Sequence, residues 1–174
     1  MDIISNIRVI EDFPIKGISY KDISTLIGNK DAFKFTIDEL ERKLQEKNIE
    51  IDKIAGIESR GFIFGAALAY KMDKSFLMIR KPGKLPADTV SVEYELEYGT
   101  DKLEIHRDSV KKNDKVLIID DLLATGGTTL AAAKLIEKLE GEVCAIESVV
   151  ELKDLDAREK LKKYEVISLV KYDH

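Results

Sequence analysis

Val116–Thr128, VLIIDDLLATGGT, is the stretch whose reading decides the fold. Val116, Leu117, Ile118 and Ile119 form a short, unbroken apolar run of the kind found in a parallel strand buried on both faces. Two acids follow, Asp120 and Asp121, and then a turn of small residues, Ala124, Thr125, Gly126, Gly127 and Thr128. Backbone N–H groups in such a turn can close around a phosphate, and the helix expected after it adds the favourable field of its N-terminus. Carboxylates repel phosphate, so Asp120 and Asp121 serve something beside it: vicinal hydroxyls, a developing cation or a hydrated magnesium ion. The stretch is not a Walker A loop, which needs a lysine where Thr128 follows Gly127, and it lacks the G-x-G-x-x-G of dinucleotide sites.

Outward from this strand, helical and extended patterns alternate. Phe33, Ile37, Leu40 and Leu44 recur at helical spacing within Asp31–Asn48. Ile51–Ile57 reads as a strand, Gly61–Met72 as a mostly apolar helix and Ser75–Arg80 as a further strand. Lys81–Thr89 reads as a loop, and Tyr94–Tyr98 with Lys102–His106 as a hairpin joined through Gly99-Thr100-Asp101. After the strand at Lys115–Asp120 come a helix at Leu130–Glu140, a strand at Glu142–Leu152, a short charged helix around Leu155–Lys163 and a last strand at Val166–Val170. This alternation predicts a parallel α/β sheet with ligands at the carboxyl ends of its strands.

Composition sets limits. A chain of 174 residues, 44% hydrophobic, suits one domain with one sizeable core. The balance of 28 Lys and Arg against 33 Asp and Glu, net −5, argues against general binding to nucleic acid or an anionic membrane. Cys144 is the only cysteine, so no intrachain disulfide forms, and its apolar neighbours predict a buried strand thiol suited to a reducing cytoplasm. The apolar stretches are too short to span a bilayer and no leader is apparent.

Two more segments carry chemistry. Gly56–Gly65, GIESRGFIFG, is a second strand-to-helix turn in which Glu58, Ser59 and Arg60 sit between apolar flanks. Exposed N–H groups and a guanidinium there make a diphosphate cradle, or else the acid and Arg form an internal ion pair. Arg80, Lys81 and Lys84 in RKPGKLP are the densest basic cluster, readable equally as a polyanion site or a solvated loop until set beside the phosphate turn. Glu93, Glu95 and Glu97 alternate along a strand, which by itself describes one solvated face.

The 116–128 stretch resembles the phosphoribosyl-diphosphate (PRPP) loop of the type I phosphoribosyltransferases. Within that family the adenine-specific members are most similar, through Phe13–Ile23 (FPIKGISYKDI), Gly56–Gly65, Ile79–Pro86 (IRKPGKLP), Tyr94–His106 (YELEYGTDKLEIH) and Val149–Leu152 (VVEL). The resemblance implies a single domain over 1–174, with a mostly parallel twisted sheet flanked by helices, an N-terminal hood over about 1–30 and a flexible flap over about 81–106. It implies transfer of a phosphoribosyl group from PRPP to adenine, with magnesium arriving on PRPP, in a cytoplasmic homodimer. Ala124–Thr128 are then expected on the 5-phosphate; Glu58, Ser59, Arg60, Arg80, Lys81 and Lys84 on the diphosphate; Ser19, Tyr20, Lys21 and Tyr98 on adenine; and Glu97, Asp120, Asp121 and Arg60 in catalysis. Tyr20 stands where the family usually has Phe, and Glu93 where small residues are common. A phosphoribosyltransferase for another base and a non-catalytic PRPP sensor are the alternatives; a sensor normally adds a DNA-binding module, for which this chain has no spare length.

Overall fold

The run at 116–119 lies at the centre of the molecule: all four side chains are fully buried. In the computed structural model, which describes residues 1–96 and 98–174, the elements are β1 (Arg8–Ile10), β2 (Tyr20–Asp22), α1 (Ser24–Gly28), α2 (Lys30–Glu46), β3 (Lys53–Ile57), α3 (Arg60–Met72) and β4 (Ser75–Ile79). There follow β5 (Thr89–Glu95), β6 (Thr100–His106), β7 (Lys115–Leu123), α4 (Gly127–Lys138), β8 (Glu142–Leu152), α5 (Ala157–Lys160) and β9 (Val166–Tyr172).

Five strands make one parallel sheet in the order β4-β3-β7-β8-β9. Leu26, Leu40, Leu44, Phe64 and Leu68, from α1 to α3, pack with Leu117 and Ile119 in one core. Ala132, Leu135 and Ile136 of α4 pack with Val116, Ile118, Leu103 and Ile105 in the other. Burial on both faces explains why β7 is an apolar run without alternation. The helix spacing read in 31–48 is that of α2, whose Ala32, Ile37, Leu40 and Leu44 are buried and whose Asn29 side chain caps the N–H groups of Asp31 and Ala32 at 3.1 and 3.2 Å.

Several boundaries differ from the sequence reading for local reasons. β7 runs to Leu123, past the expected end at Asp120, because it pairs with β8 as far as Leu123↔Glu151. The hairpin begins at Thr89, not Tyr94: Val90, Val92 and Tyr94 alternate toward the second core while Glu93 and Glu95 face solvent, and the register runs from Thr89↔His106 to Glu95↔Thr100. The charged helix expected at 155–163 is a 3-10 turn, Lys153–Leu155, followed by the four residues of α5. Cys144 lies on β8 but is only half-buried; burial pushes its thiol up to about 11. No helix is long and apolar enough to cross a membrane among the described residues.

Candidate active site

Strand order makes the crevice. β3 leads into α3 on one face of the sheet and the adjacent β7 leads into α4 on the other, so their two turns part at the carboxyl ends of neighbouring strands. Ligands of open α/β sheets settle at such a switch point. A cavity of about 270 Å³ opens there, lined by Ile57 at the end of β3 and Glu58 after it, by Lys81, by Asp120 and Leu122 of β7, by Ala124, Thr125 and Gly126 of the turn, and by Thr128 and Thr129 at the start of α4. Gly126 supplies the bend, with φ of 86°, immediately before α4; a Cβ there would press on Ala157 at 3.1 Å.

Beside the crevice an acid pair meets one cation through its second member. Arg60 Nε pairs with the buried Asp121 at 2.9 Å, and the Asp121 N–H donates to Asp120 Oδ1 at 2.9 Å. Burial, and then the neighbouring Asp121 charge, push the Asp120 carboxyl well above the usual carboxylate range. Arg60 also donates to the Tyr20 hydroxyl and lies 5.9 Å over its ring, while Phe13 meets that ring edge-on at 5.1 Å. One side chain therefore joins the hood to the acid pair. The approach depends on Gly61: a Cβ there would come within 2.9 Å of Asp120 Oδ1 and 3.0 Å of the Ile119 carbonyl oxygen, so α3 is seated on β7 more closely than a side chain permits.

The expected diphosphate residues divide into two groups. Glu58 Oε2 accepts from Arg80 Nε at 3.2 Å and from the Lys81 N–H at 2.8 Å, and Glu58 Oε1 lies 3.9 Å from Lys84 Nζ. The internal ion pair allowed for in the GIESRG turn thus forms, but with Arg80 and Lys84 in place of Arg60. Among Arg60, Arg80, Lys81 and Lys84 only Lys81 lines the cavity among the described residues, and Ser59 is the residue just before α3.

Residues 25–173 match the model of the phosphoribosyl transferase domain. The adenine phosphoribosyltransferase of Clostridium kluyveri is 54% identical over 173 residues, 99% of each chain. The chain belongs to the adenine phosphoribosyltransferase branch of the phosphoribosyltransferase family. Its fold superposes on the crystal structure of the adenine phosphoribosyltransferase from Thermoanaerobacter pseudethanolicus with a TM-score of 0.94 at 52% identity, covering 98% of both chains. The Saccharomyces cerevisiae enzyme, solved with an imino-altritol bisphosphate and adenine, superposes with a TM-score of 0.93 at 36% identity, covering 97% of this chain and 96% of that one.

In this member of the family, the hood side chains beside Tyr20 are occupied with one another. The Ser19 hydroxyl donates to Glu11 at 3.0 Å, and Lys21, buried, donates to the Ser19 carbonyl at 3.0 Å and hydroxyl at 2.7 Å while lying 5.3 Å over the Tyr172 ring. Tyr98 is 89% exposed on the hairpin turn and is not a wall of the cavity, and Glu97 lies outside the described residues. Sequence reasoning missed Ile57, Leu122 and Thr129 as cavity walls. Thr129 had a signal, since it continues the small-residue turn into the first turn of α4.

Proposed function

We propose that this chain transfers the 5-phosphoribosyl group of PRPP to adenine, forming AMP and diphosphate in purine salvage. Family membership supports the reaction, and the observation that carries the site is the switch-point cavity walled by the small-residue turn, Asp120 and Lys81, with the Asp121–Arg60 pair beside Asp120 leading to Tyr20. In this reading the N–H groups of Ala124–Thr128 bind the 5-phosphate. The C1′–O bond to diphosphate breaks as C1′–N9 forms, and Asp120 and Asp121 hold the ribose hydroxyls and favour positive charge on the sugar. Lys81, with Arg80 and Lys84 behind it, offsets charge on the departing diphosphate. Adenine stacks on Tyr20, and Glu97 receives the N9 proton or polarises N7 when the flap closes.

Among the described residues no three His, Cys, Asp or Glu side chains gather as a metal cage. Asp120 and Asp121 are only two, and Asp121 is already paired with Arg60. That donor set fits magnesium that brings substrate oxygens and several waters of its own. When bound, such an ion neutralises diphosphate charge.

We further propose a cytoplasmic homodimer. Exposed Ile63 and Tyr70 on α3 and Met78 on the edge strand β4 support self-association; equilibrium sedimentation tests it, and a monomer at micromolar concentration contradicts it. The reaction is tested by offering adenine, hypoxanthine, guanine, xanthine and orotate separately with PRPP and magnesium while following nucleotide and diphosphate. Turnover with adenine alone is expected. Turnover with a different base defeats the hood assignment, and PRPP binding without turnover of any base defeats the enzymatic one.

A further inference from the structure

Lys81 lines the cavity, yet its ammonium is engaged by the hairpin. Lys81 Nζ forms an ion pair with Asp101 Oδ2 and donates to the Tyr94 hydroxyl at 3.4 Å, and Tyr94 donates to the same Asp101 oxygen at 3.3 Å. Tyr94 and Asp101 stand directly opposite each other on β5 and β6, so the two strands present a carboxylate and a phenol as one clamp. The other Asp101 oxygen accepts from the Lys102 N–H at 2.8 Å, which fixes the carboxylate's direction. The Lys81 hydrogen bond, then that of Lys102, holds the Asp101 carboxyl below its ordinary value, so it is an anion at neutral pH. The backbone repeats the connection one residue earlier, where Arg80 and Glu104 exchange hydrogen bonds of 2.9 and 2.8 Å.

We propose that Asp101, braced by Tyr94, is a resident counter-anion for Lys81 that the diphosphate end of PRPP displaces, so that substrate binding releases the turn end of the hairpin from Lys81. This rests on the cavity being the PRPP site. A diphosphate carries several negative charges against one on Asp101, and both side chains of the pair are partly exposed, 39% and 28%, so the exchange needs no repacking of the core. Next to this clamp the hairpin turn is closed by a Leu96 N–H to Gly99 carbonyl bond of 2.9 Å. Exchange of partners at Lys81 thereby couples anion binding to freedom of the flap, and recapture of Lys81 by Asp101 helps diphosphate leave. Asp101 is a positioning residue: it acts through Lys81 and touches no reacting atom.

The test is calorimetric titration of the full chain with inorganic diphosphate and with PRPP, each with magnesium, beside amide hydrogen exchange of β5 and β6. Asp101→Asn is expected to bind diphosphate roughly threefold to fivefold more tightly, the range for a partly exposed ion pair. Asp101→Glu returns the affinity toward wild type. In a Lys81→Met background Asp101→Asn changes nothing further. PRPP is expected to quicken exchange of hairpin amides in the wild type, whereas Asp101→Asn exchanges quickly without ligand. Unchanged affinity in Asp101→Asn, or a gain that persists with Lys81→Met, overturns the latch while leaving the site intact. A wild-type chain that binds neither ligand overturns the reading of the cavity, and the latch with it.

Discussion

Two buried acids sit two residues apart in level on neighbouring strands and have opposite surroundings. Asp121 on β7 is covered but pairs with Arg60, next to Asp120, which is a wall of the cavity. Glu147 on β8, opposite Ile119 on one side and Ile167 on the other, is fully buried, and neither carboxylate oxygen has a hydrogen-bond partner among the described residues. Burial pushes the Glu147 carboxyl well above its usual range, and no cation offsets that effect. Glu151, farther along β8, is an intermediate case: buried, but held by Arg158 through two bonds of 2.8 Å and by the Ser168 hydroxyl at 2.5 Å. A buried acid is thus a sign of chemistry only where a cation and an opening accompany it.

The comparison can be broken most directly at Asp121. Asp121→Asn is expected to lower the rate of AMP formation by roughly 10²–10³-fold, the scale of losing one preorganised electrostatic contact, with the circular dichroism spectrum unchanged. A rate within a few-fold of wild type removes the acid pair from the chemistry. At the intermediate case, Arg158→Ala leaves Glu151 with fewer partners and is expected to cost about 1–3 kcal/mol in urea unfolding, with turnover retained. If stability does not move, the Arg158 pair contributes nothing to it.

Glu147→Val sharpens the contrast in the opposite direction. It replaces an unpartnered carboxyl among isoleucines with an apolar side chain of similar volume and is expected to stabilise the chain by about 1–3 kcal/mol at neutral pH. The sign with pH follows from linkage. A carboxyl whose folded pKa is raised is protonated in both states below its unfolded value near 4.5, and loses relative stability as pH rises above it, because only the unfolded chain ionises. The advantage of Glu147→Val therefore widens from pH 5 to pH 8; a gain independent of pH shows that the native carboxyl is already ionised.

Much of this was legible in the chain. The VLII run, the acids and the ATGGT turn are local, and local order sets both the central strand and the start of α4. The hood was less so, because β1 and β2 have three residues each and leave no period to read. Partner choice was not legible: Glu58 meets Arg80, 22 residues later, and Arg60 meets Tyr20, 40 residues earlier, through strand order that the spacing of charges does not encode. Glu147 did leave a mark, a lone acid within CAIESVV, but its lack of partners is a property of the packed sheet.

Gly61 and Gly65 lie one above the other on the face of α3 that rests on β7, and a Cβ at Gly65 would come within 2.9 Å of Ile119 Cγ2 and 2.7 Å of the Phe76 ring. A single methyl group at either position acts as a shim under a lever. The helix carries Arg60 at its first residue, so lifting it moves a side chain that spans the hood and the acid pair. The spacing between Tyr20 and the acid pair is thus set by hydrogen atoms on a buried seam, at two glycines that do not themselves line the cavity.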